Sequence, residues 1–289
     1  MRAPRGAAIA ALAIASLVLL GGTPAQAQAD GACGEVVTIA THDGTTTRYA
    51  LALPTSAPRG DVRVALVLLS GGGGHLDLDS EGCPRALTGN LLVRLLPHFR
   101  SAGFATALVD APSDLQGEDG LGGYRIAPEH AQDLGKVIAD VRARTQASIW
   151  LVGSSRGSIS AVNAAARLSG PAAPDGLVLA SPITSGFSGG RKAWVAQTVF
   201  DLPLDAIRIP VLVVGHAEDK CIRTPPRLLP DITARTSSAR EQVVTVTGGP
   251  GWPGAPSIKA CAGRMPHGFV EQQPEVAAGI ARFIAGRDY

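Results

Sequence analysis

The sequence predicts an α/β protein with a mainly parallel sheet and helices on both faces, and three observations lead to that prediction. Short runs rich in Val, Leu and Ile recur along the chain, and helical stretches separate them. The runs carry few polar residues, as expected of strands that are covered on both faces. One run, residues 149–152, leads directly into the motif G-S-S-R-G at residues 153–157 and then into a helix-like stretch of small residues.

The predicted strands begin with an antiparallel pair. Residues 35–40 and 46–53 flank the sequence His-Asp-Gly, which is typical of a hairpin turn. The later strands each follow a connecting stretch of helical character, so we expect them to run parallel through right-handed crossovers. These strands are residues 64–69, 104–109, 149–152, 177–180, 211–214 and 242–246.

Five helices are predicted between or after these strands. Pro128 suits the first position of one helix, and Glu129 lies near its positive end. Pro97 lies inside another and is expected to kink or interrupt it. The predicted helices are residues 88–101, 128–144, 158–168, 224–236 and 274–285.

Residues 184–207 follow neither pattern. Residues 185–190 are rich in Gly and Ser, whereas residues 191–200 have the pattern of a short amphipathic helix. The segment comes after a predicted strand, on the side of the sheet where a cap over a site would lie. A small cap and a plain surface connection both fit this sequence, and a large lid domain does not.

The amino terminus has the features of a secretory signal peptide. Arg2 and Arg5 precede an apolar stretch at residues 7–20, and Ala-Gln-Ala patterns follow it. Cleavage is expected after Ala27 or Ala29. The apolar stretch is too short for an ordinary membrane span, so we expect an exported protein, either periplasmic or secreted.

This interpretation assigns residues 1–29 to the signal peptide and residues 30–289 to a single domain, which is long enough for a sizeable core. Without the signal, 24 basic residues remain against 24 acidic ones, and no block of Lys and Arg is present. We therefore expect no nucleic-acid partner and no membrane span. The oligomeric state is left open.

Ser155 is the candidate nucleophile. A G-x-S-x-G motif between a strand and a helix is typical of a nucleophile elbow, in which glycines permit close packing and the serine backbone is strained. A second match at residues 186–190 follows no strand directly, and we interpret it as a Gly/Ser loop. An ordinary structural serine is the alternative for Ser155.

A nucleophilic serine needs a base and an acid that orients the base. Asp219 follows the predicted strand at residues 211–214 and is the candidate acid, with Glu218 as its nearest rival. His267 lies after the last strand and before the last helix, and it is the candidate base, with His216 as the runner-up. The three candidates occur in the chain order Ser, Asp, His that α/β-hydrolases use.

An oxyanion hole is the third requirement. The glycine loop (residues 70–74, Ser-Gly-Gly-Gly-Gly) ends the predicted strand at residues 64–69. Backbone without side chains lets N–H groups approach a carbonyl oxygen closely. The candidate donors are the N–H groups of Gly72 and Gly73, together with that of Arg156, the residue after the nucleophile.

Other roles for this region are weakly indicated. A structural turn is one alternative for the glycine loop, and a phosphate cradle is another, although both the Walker pattern and G-x-G-x-x-G are absent. His75, Asp77 and Asp79 follow the loop, but three spaced polar residues are poor grounds for a metal site. We therefore expect neither a metal nor a cofactor.

The four cysteines of an exported chain are expected to form disulfides. Of the three possible pairings we favour Cys33–Cys83 with Cys221–Cys261, since the latter would join two loops expected at the active site. Each bond would close a loop of about 40 to 50 residues, worth about 4 kcal/mol in the chain-entropy model. Free buried thiols are the alternative.

With these motifs the chain resembles the α/β-hydrolase superfamily, and more loosely its small exported bacterial members similar to dienelactone hydrolases and carboxylesterases. The resemblance rests on the glycine loop after a strand, the elbow at Ser155, the strand followed by Asp219, and His267 before the last helix. It implies an eight-stranded sheet and the hydrolysis of esters or related acyl bonds without a cofactor.

The predicted function is therefore that of a serine hydrolase, which cleaves a carboxylic ester or a related acyl bond through an acyl-enzyme. An exported acyltransferase or a peptidase would use the same triad. A non-catalytic binding protein with this fold is the alternative from a different class. Whether the ester is a small molecule or a polymer, and which acyl-chain length is preferred, are left open by a chain with only 4% aromatic residues.

Overall fold

The computed structural model describes residues 1–2, 33–55 and 62–289. Of the predicted signal peptide, residues 1–29, only residues 1–2 are among those described; the signal and its cleavage after Ala27 or Ala29 therefore stay predictions. The described part of the region Gly31–Tyr289, which is one compact unit, contains a single sheet with helices on both faces. Among the described residues, none of the helices combines the length and apolar character needed to cross a bilayer.

Eight strands form the sheet, in the spatial order β1-β2-β4-β3-β5-β6-β7-β8. The first pair is antiparallel, β2 also runs antiparallel to β4, and all other neighbours are parallel. The predicted mainly parallel, eight-stranded α/β sheet is therefore confirmed. The strands are β1 (Glu35–Ala40), β2 (Thr46–Ala52), β3 (Val64–Leu69), β4 (Ala105–Val109), β5 (Ser148–Ser154), β6 (Gly176–Ala180), β7 (Val211–His216) and β8 (Glu241–Val246).

Helices cover both faces of this sheet because its strands are apolar on both faces. In β3, Ala65, Val67 and Leu69 belong to one core cluster, and Leu66 and Leu68 belong to the other. Two helices, α2 and α3, pack on the first cluster, and α1 and α5 pack on the second. The helices are α1 (Leu91–Ser101), α2 (Pro128–Thr145), α3 (Gly157–Arg167), α4 (Pro230–Thr233) and α5 (Gln273–Ile284).

The first helix begins later than predicted and is not interrupted. Asn90 is its N-cap, and the Asn90 side chain accepts a hydrogen bond from the Leu92 N–H over 2.9 Å. A kink or an interruption was predicted at Pro97; the helix continues through Pro97, so the interruption is wrong. Leu95 and Phe99, on either side of the proline, are buried in the same core cluster and hold both halves of the helix against the sheet.

The predicted helix at residues 224–236 is wrong. This stretch contains only the 3-10 turn Pro226–Leu228 and the four-residue α4. Its three prolines, at positions 225, 226 and 230, lack the N–H donors that a continuous helix requires. The stretch instead supplies a side chain to the candidate active site.

Residues 184–207 form a tight connection that holds three 3-10 turns, Ala193–Ala196, Val199–Asp201 and Leu204–Ala206. The short helix predicted at residues 191–200 is therefore wrong. The Arg223 guanidinium fixes the connection by donating to the carbonyl oxygens of Ser185 (2.6 Å) and Gln197 (3.2 Å). Backbone groups bonded to an outside side chain in this way do not need a regular helix.

Two disulfides join segments that are distant in the chain. Cys33 is bonded to Cys83 and Cys221 to Cys261, with Cα–Cα distances of 4.9 and 4.5 Å. These are the pairings favoured in the sequence analysis. The first attaches the start of β1 to the loop after the glycine loop, and the second joins the loop after β7 to the segment that precedes the last helix.

Candidate active site

Ser155 lies in the sharp turn between β5 and α3 and has a φ of +51°. This left-handed conformation strains a residue with a side chain, and such strain is characteristic of functional sites. The flanking glycines make the turn possible. A Cβ on Gly153 would lie 2.7 Å from the Gly157 carbonyl oxygen, and a Cβ on Gly157 would collide with the Leu69 carbonyl. The geometry is that of a nucleophile elbow.

Asp219 and His267 form a buried pair. Asp219 follows the end of β7, and His267 lies in the 3-10 turn Pro266–Gly268 ahead of α5. His267 Nδ1 is 3.0 Å from Asp219 Oδ2, and the two residues are only 4% and 5% exposed. The other carboxylate oxygen, Oδ1, accepts the Cys221 N–H over 2.8 Å. The carboxylate is thus fixed on one side of the imidazole, as an orienting acid requires.

Thr224 contacts both members of this pair. Its hydroxyl donates to Asp219 Oδ2 over 2.7 Å and lies 3.1 Å from His267 Nδ1. Thr224 is 1% exposed, so water does not compete for these bonds. The three side chains lock the imidazole so that Nδ1 faces the carboxylate.

The turn that carries His267 is held from both sides. The Ser181 hydroxyl donates to the His267 carbonyl oxygen over 2.8 Å. The Arg94 guanidinium donates to the carbonyl oxygens of Gly263 (2.7 Å) and Gly268. Backbone anchored at three carbonyls gives the imidazole a defined position.

The rival residues are bonded elsewhere. His216 is buried, its Nε2 lies 3.1 Å from the Gly248 carbonyl oxygen, and its Nδ1 accepts the Glu218 N–H over 3.0 Å. The Glu218 carboxylate is exposed and lies 3.9 Å from Lys220 Nζ. Neither rival therefore joins the pair formed by Asp219 and His267.

Ser155 and His267 line one cleft with a volume of about 300 Å³. Of the hydrogen bonds that the described residues form, none joins Ser155 Oγ to His267, and such bonds commonly tighten only once substrate is bound. The cleft wall is contributed by the glycine loop, the start of α1 and the segment before His267. The other lining residues are Gly72, Leu87, Gly89, Asn90, Leu91, Ser154, Cys261, Ala262, Gly263 and Gly268.

The glycine loop lies directly against the candidate nucleophile. A Cβ on Gly71 would approach the Ser155 Cβ to 2.8 Å, so only glycine fits there. Three successive carbonyls of the loop are engaged by protein donors, which fixes the peptide planes. Gly71 O accepts the Gly74 N–H (3.2 Å), Gly72 O accepts Arg125 Nη2 (3.3 Å), and Gly73 O accepts the Leu121 N–H (2.8 Å).

The predicted oxyanion donors remain available for a ligand. Among the hydrogen bonds of the described residues, none uses the N–H groups of Gly72, Gly73 or Arg156. Gly72 lines the cleft together with Ser155, and Arg156 is the residue after Ser155, whereas Gly73 is not among the residues that line the cleft. Free N–H groups beside a nucleophile are suited to stabilising negative charge on a carbonyl oxygen.

The Arg156 side chain contacts the connection at residues 184–207. Its guanidinium carbon lies 3.9 Å from the centroid of the Trp194 ring. Burial, and to a lesser degree the charge of Arg223, lowers the pKa of Arg156 to about 10, so the group stays protonated at neutral pH. The connection therefore lies over the residue that follows Ser155 and forms at most a small cap.

Two of the three residues considered for a metal site, His75 and Asp79, have other partners. His75 Nδ1 lies 3.1 Å from Asp110, and Asp79 accepts the N–H groups of Glu81 and Cys83, as in a turn. Within the described residues, one group of three metal-type side chains comes together: Asp219, Cys221 and His267. The Cys221 sulfur is in a disulfide and is therefore not a thiolate ligand.

Comparison with protein-family models gives no match for this chain, and neither does comparison with curated protein sequences. Solved structures do match. A dienelactone hydrolase from Anabaena variabilis has a TM-score of 0.56 at 15% identity and covers 88% of this chain and 97% of its own. A thermophilic esterase from the Planctomycetes species Thermogutta terrifontis has a TM-score of 0.56 at 18% identity, with 87% and 92% covered.

A third match is a member of the α/β serine hydrolases without a lid, from Xanthomonas campestris. Its TM-score is 0.50 at 17% identity, with 83% of this chain and 91% of its own covered. Together with the sheet order, these likenesses show that the chain has the α/β-hydrolase fold. That part of the predicted resemblance is confirmed.

Sequence reasoning missed three residues that support the site. Gly71 precedes the two predicted oxyanion donors, Gly72 and Gly73, and the run of four glycines is the signal that could have identified it. Thr224 was placed in a predicted helix, where a hydroxyl carries no functional signal. Arg125, which binds the glycine loop, belongs to none of the sequence motifs described above.

Proposed function

We propose that this protein is a serine hydrolase that cleaves a carboxylic ester or a related acyl bond, with Ser155 as nucleophile, His267 as base and Asp219 as orienting acid. One observation carries the proposal. Ser155, strained at an elbow, shares a cleft with His267, whose Nδ1 is hydrogen-bonded to a buried carboxylate. A nucleophilic serine, a base and a carboxylate that orients the base are the parts that a serine hydrolase triad requires, and they support the proposal.

In the acylation step, Ser155 Oγ attacks the acyl carbon while His267 Nε2 accepts the hydroxyl proton. The carbonyl π electrons move onto oxygen, and the N–H groups of Gly72, Gly73 and Arg156 stabilise that oxyanion. When the tetrahedral intermediate collapses, the bond to the leaving oxygen breaks. His267 donates the proton that it took from Ser155 to the leaving oxygen, so an alcohol leaves and the acyl group remains as an ester of Ser155.

Deacylation repeats these steps with water. His267 Nε2 takes a proton from water as the water oxygen attacks the acyl carbon of the acyl-enzyme. Collapse of the second tetrahedral intermediate breaks the bond to Ser155 Oγ, which recovers the proton from His267. The products are a carboxylic acid and free enzyme, and Asp219 stabilises the imidazolium in both steps.

Small-molecule esters are the proposed substrates, because two of the similar structures are named a dienelactone hydrolase and an esterase. We also propose that the protein works outside the cytoplasm. The two disulfides support this placement, since such bonds persist mainly in oxidising compartments.

The test is hydrolysis of p-nitrophenyl esters of graded acyl length by the chain that starts at residue 30, with labelling by a fluorophosphonate probe. Ser155→Ala should lower kcat by roughly 10⁶ and abolish labelling. The matched control is Ser188→Ala, which removes the serine of the second G-x-S-x-G motif and should leave both unchanged. Labelled wild type that transfers the acyl group mainly to an added alcohol or amine would identify a transferase. A wild type without hydrolysis or labelling would refute the proposal.

A further inference from the structure

Arg125 is a buried cation without a carboxylate partner. It lies in the 3-10 turn Gly123–Ile126, ahead of α2, and is 1% exposed. Among the ion pairs of the described residues, none includes Arg125. Asp110 and Asp133 line the same small cavity as Arg125, but each carboxylate is bonded to other groups. Burial of an unpaired charge is costly, so its contacts require an explanation.

The contacts of Arg125 join the glycine loop to the helix that follows the nucleophile. Its Nη2 donates to the carbonyl oxygens of Ser70 (3.1 Å) and Gly72 (3.3 Å). Its Nη1 donates to Ser160 Oγ in α3 over 2.7 Å. A planar guanidinium can hold several acceptors in fixed directions at once, which an ammonium group cannot do.

The bond to Gly72 has a directional consequence. In a planar trans peptide the C=O and the next N–H point in opposite directions. Because Arg125 holds the Gly72 carbonyl toward the protein interior, the Gly73 N–H must point away from Arg125. The Gly73 N–H is a proposed oxyanion donor that none of the hydrogen bonds of the described residues uses, but Gly73 does not line the cleft. Through the Ser70 and Gly72 carbonyls, Arg125 also fixes the peptides on both sides of the one that carries the Gly72 N–H, the proposed donor that does line the cleft.

The surroundings of Arg125 are polar. A cavity with about 20 Å³ of room for the centre of a water molecule borders it, enough for one internal water. Polar atoms of four lining residues have no partner among the described residues: Thr47 Oγ1, Ser70 Oγ, Arg125 Nε and His130 Nδ1. A bridging water would satisfy several of them. Burial of such a polar cluster costs folding free energy, so a role in positioning explains it better than a role in stability.

We propose that Arg125 is a positioning residue for the oxyanion hole, acting through the carbonyl groups of Ser70 and Gly72. This inference rests on the proposed function. Without the guanidinium, the glycine loop keeps its sequence but loses the constraint that aims its N–H groups. Arg125 should therefore affect stabilisation of the tetrahedral intermediate and leave ground-state binding of the ester unaffected.

The test compares Arg125→Met and Arg125→Lys with a matched control, Arg142→Met. Arg142 also holds loop carbonyls, those of Pro171 (3.1 Å) and Ala173 (2.6 Å), but these lie before β6, at the opposite end of the sheet from the cleft. We expect Arg125→Met to lower kcat roughly 10- to 100-fold with KM nearly unchanged, somewhat less than direct loss of an oxyanion donor. Arg142→Met should lower thermal stability and keep kcat.

Arg125→Lys keeps the charge but loses the planar set of guanidinium donors, so its kcat should lie between those of wild type and Arg125→Met. If Arg125→Met does not fold, as judged by near-UV circular dichroism, Arg125→Lys decides the question. An unchanged kcat in the folded Arg125 variants, a rise in KM alone, or an equal loss of kcat in Arg142→Met would overturn the inference. If wild type is active and Ser155→Ala is inactive, the proposed function is retained even when the inference about Arg125 fails. If wild type is inactive, both the proposed function and the inference about Arg125 are refuted.

Discussion

The Thr224 hydroxyl donates to Asp219 over 2.7 Å and thereby adds a second contact to the carboxylate oxygen that faces His267. Removal of this hydroxyl should loosen the carboxylate and leave the imidazole less well oriented. We expect Thr224→Val to lower kcat by roughly 10-fold, which corresponds to one buried hydrogen bond. Thr224→Ser keeps the hydroxyl and should stay close to wild type. Equal activity of the Val and Ser variants in ester hydrolysis would show that the contact is incidental.

Asp219→Asn should test the orienting role directly. The amide keeps the size of the carboxylate but favours the wrong imidazole tautomer and does not stabilise the imidazolium. A loss of about 10⁴ in kcat is expected. The matched control is Glu218→Gln, at the neighbouring exposed carboxylate, which should remain active. A larger loss in the Glu218 variant than in the Asp219 variant would mean that the acid has been misassigned.

Gly71→Ala should damage the site by crowding alone. Its Cβ would lie 2.8 Å from the Ser155 Cβ and 3.0 Å from the Ser154 carbonyl oxygen, so the glycine loop or the elbow must shift. A displacement of about 1 Å typically costs about 10² in rate. Gly117→Ala introduces the same methyl group where no atom lies within 4 Å, and it serves as the control. Comparable kcat values for the two variants would contradict this account.

The two disulfides should differ in their effect on activity. Cys261 lines the cleft, and the Cys221 N–H binds Asp219, so replacing both cysteines by Ser should lower stability by about 2 to 4 kcal/mol and also reduce kcat. Replacing Cys33 and Cys83 should lower stability by a similar amount and preserve kcat. Urea unfolding and ester hydrolysis measured on both double variants check this. Loss of activity confined to the Cys33 and Cys83 variant would reverse the assignment.

His130 should contribute to acid unfolding. Burial, followed by the charges of Arg125 and His42, lowers its pKa from 6.5 to about 3. Below pH 6.5 the unfolded chain binds a proton that the folded state does not, so stability falls as the pH drops from 6.5 toward 3. His130→Gln removes this proton uptake, and its acid-unfolding midpoint should lie at lower pH than that of wild type. A midpoint that moves to higher pH would contradict the prediction.

His42 should affect the pH dependence of stability in the direction opposite to His130. Burial lowers its pKa, but hydrogen bonds to Asp133 and Asp114 outweigh that effect, so the pKa is raised above 6.5. Its contribution to stability is therefore present below pH 6.5 and is lost as the pH rises through the folded-state pKa. His42→Gln should destabilise the protein more at pH 6 than at pH 9. Urea unfolding at the two pH values measures this difference.

Much of the sheet was predictable because its signals are local. An apolar run covered on both faces identifies a strand from its own residues, and β3 was predicted with the boundaries that the structure shows. The elbow was predictable for the same reason, since its two glycines and Ser155 lie in one short turn. The stretch at residues 224–236 lies between two strands, where a helix is expected, but its three prolines lack the N–H donors of a continuous helix.

The sequence by itself determined the alternation of strands and helices, a serine between two glycines at the end of a strand, and Asp219 and His267 in loops after strands. Only the tertiary structure decided which side chains position the His267 imidazole and the glycine loop. Thr224 reaches the imidazole and Arg125 reaches the glycine loop across long separations in the chain. Periodicity and turn preference act over a few residues, whereas the donor that meets a buried acceptor depends on which segments pack together.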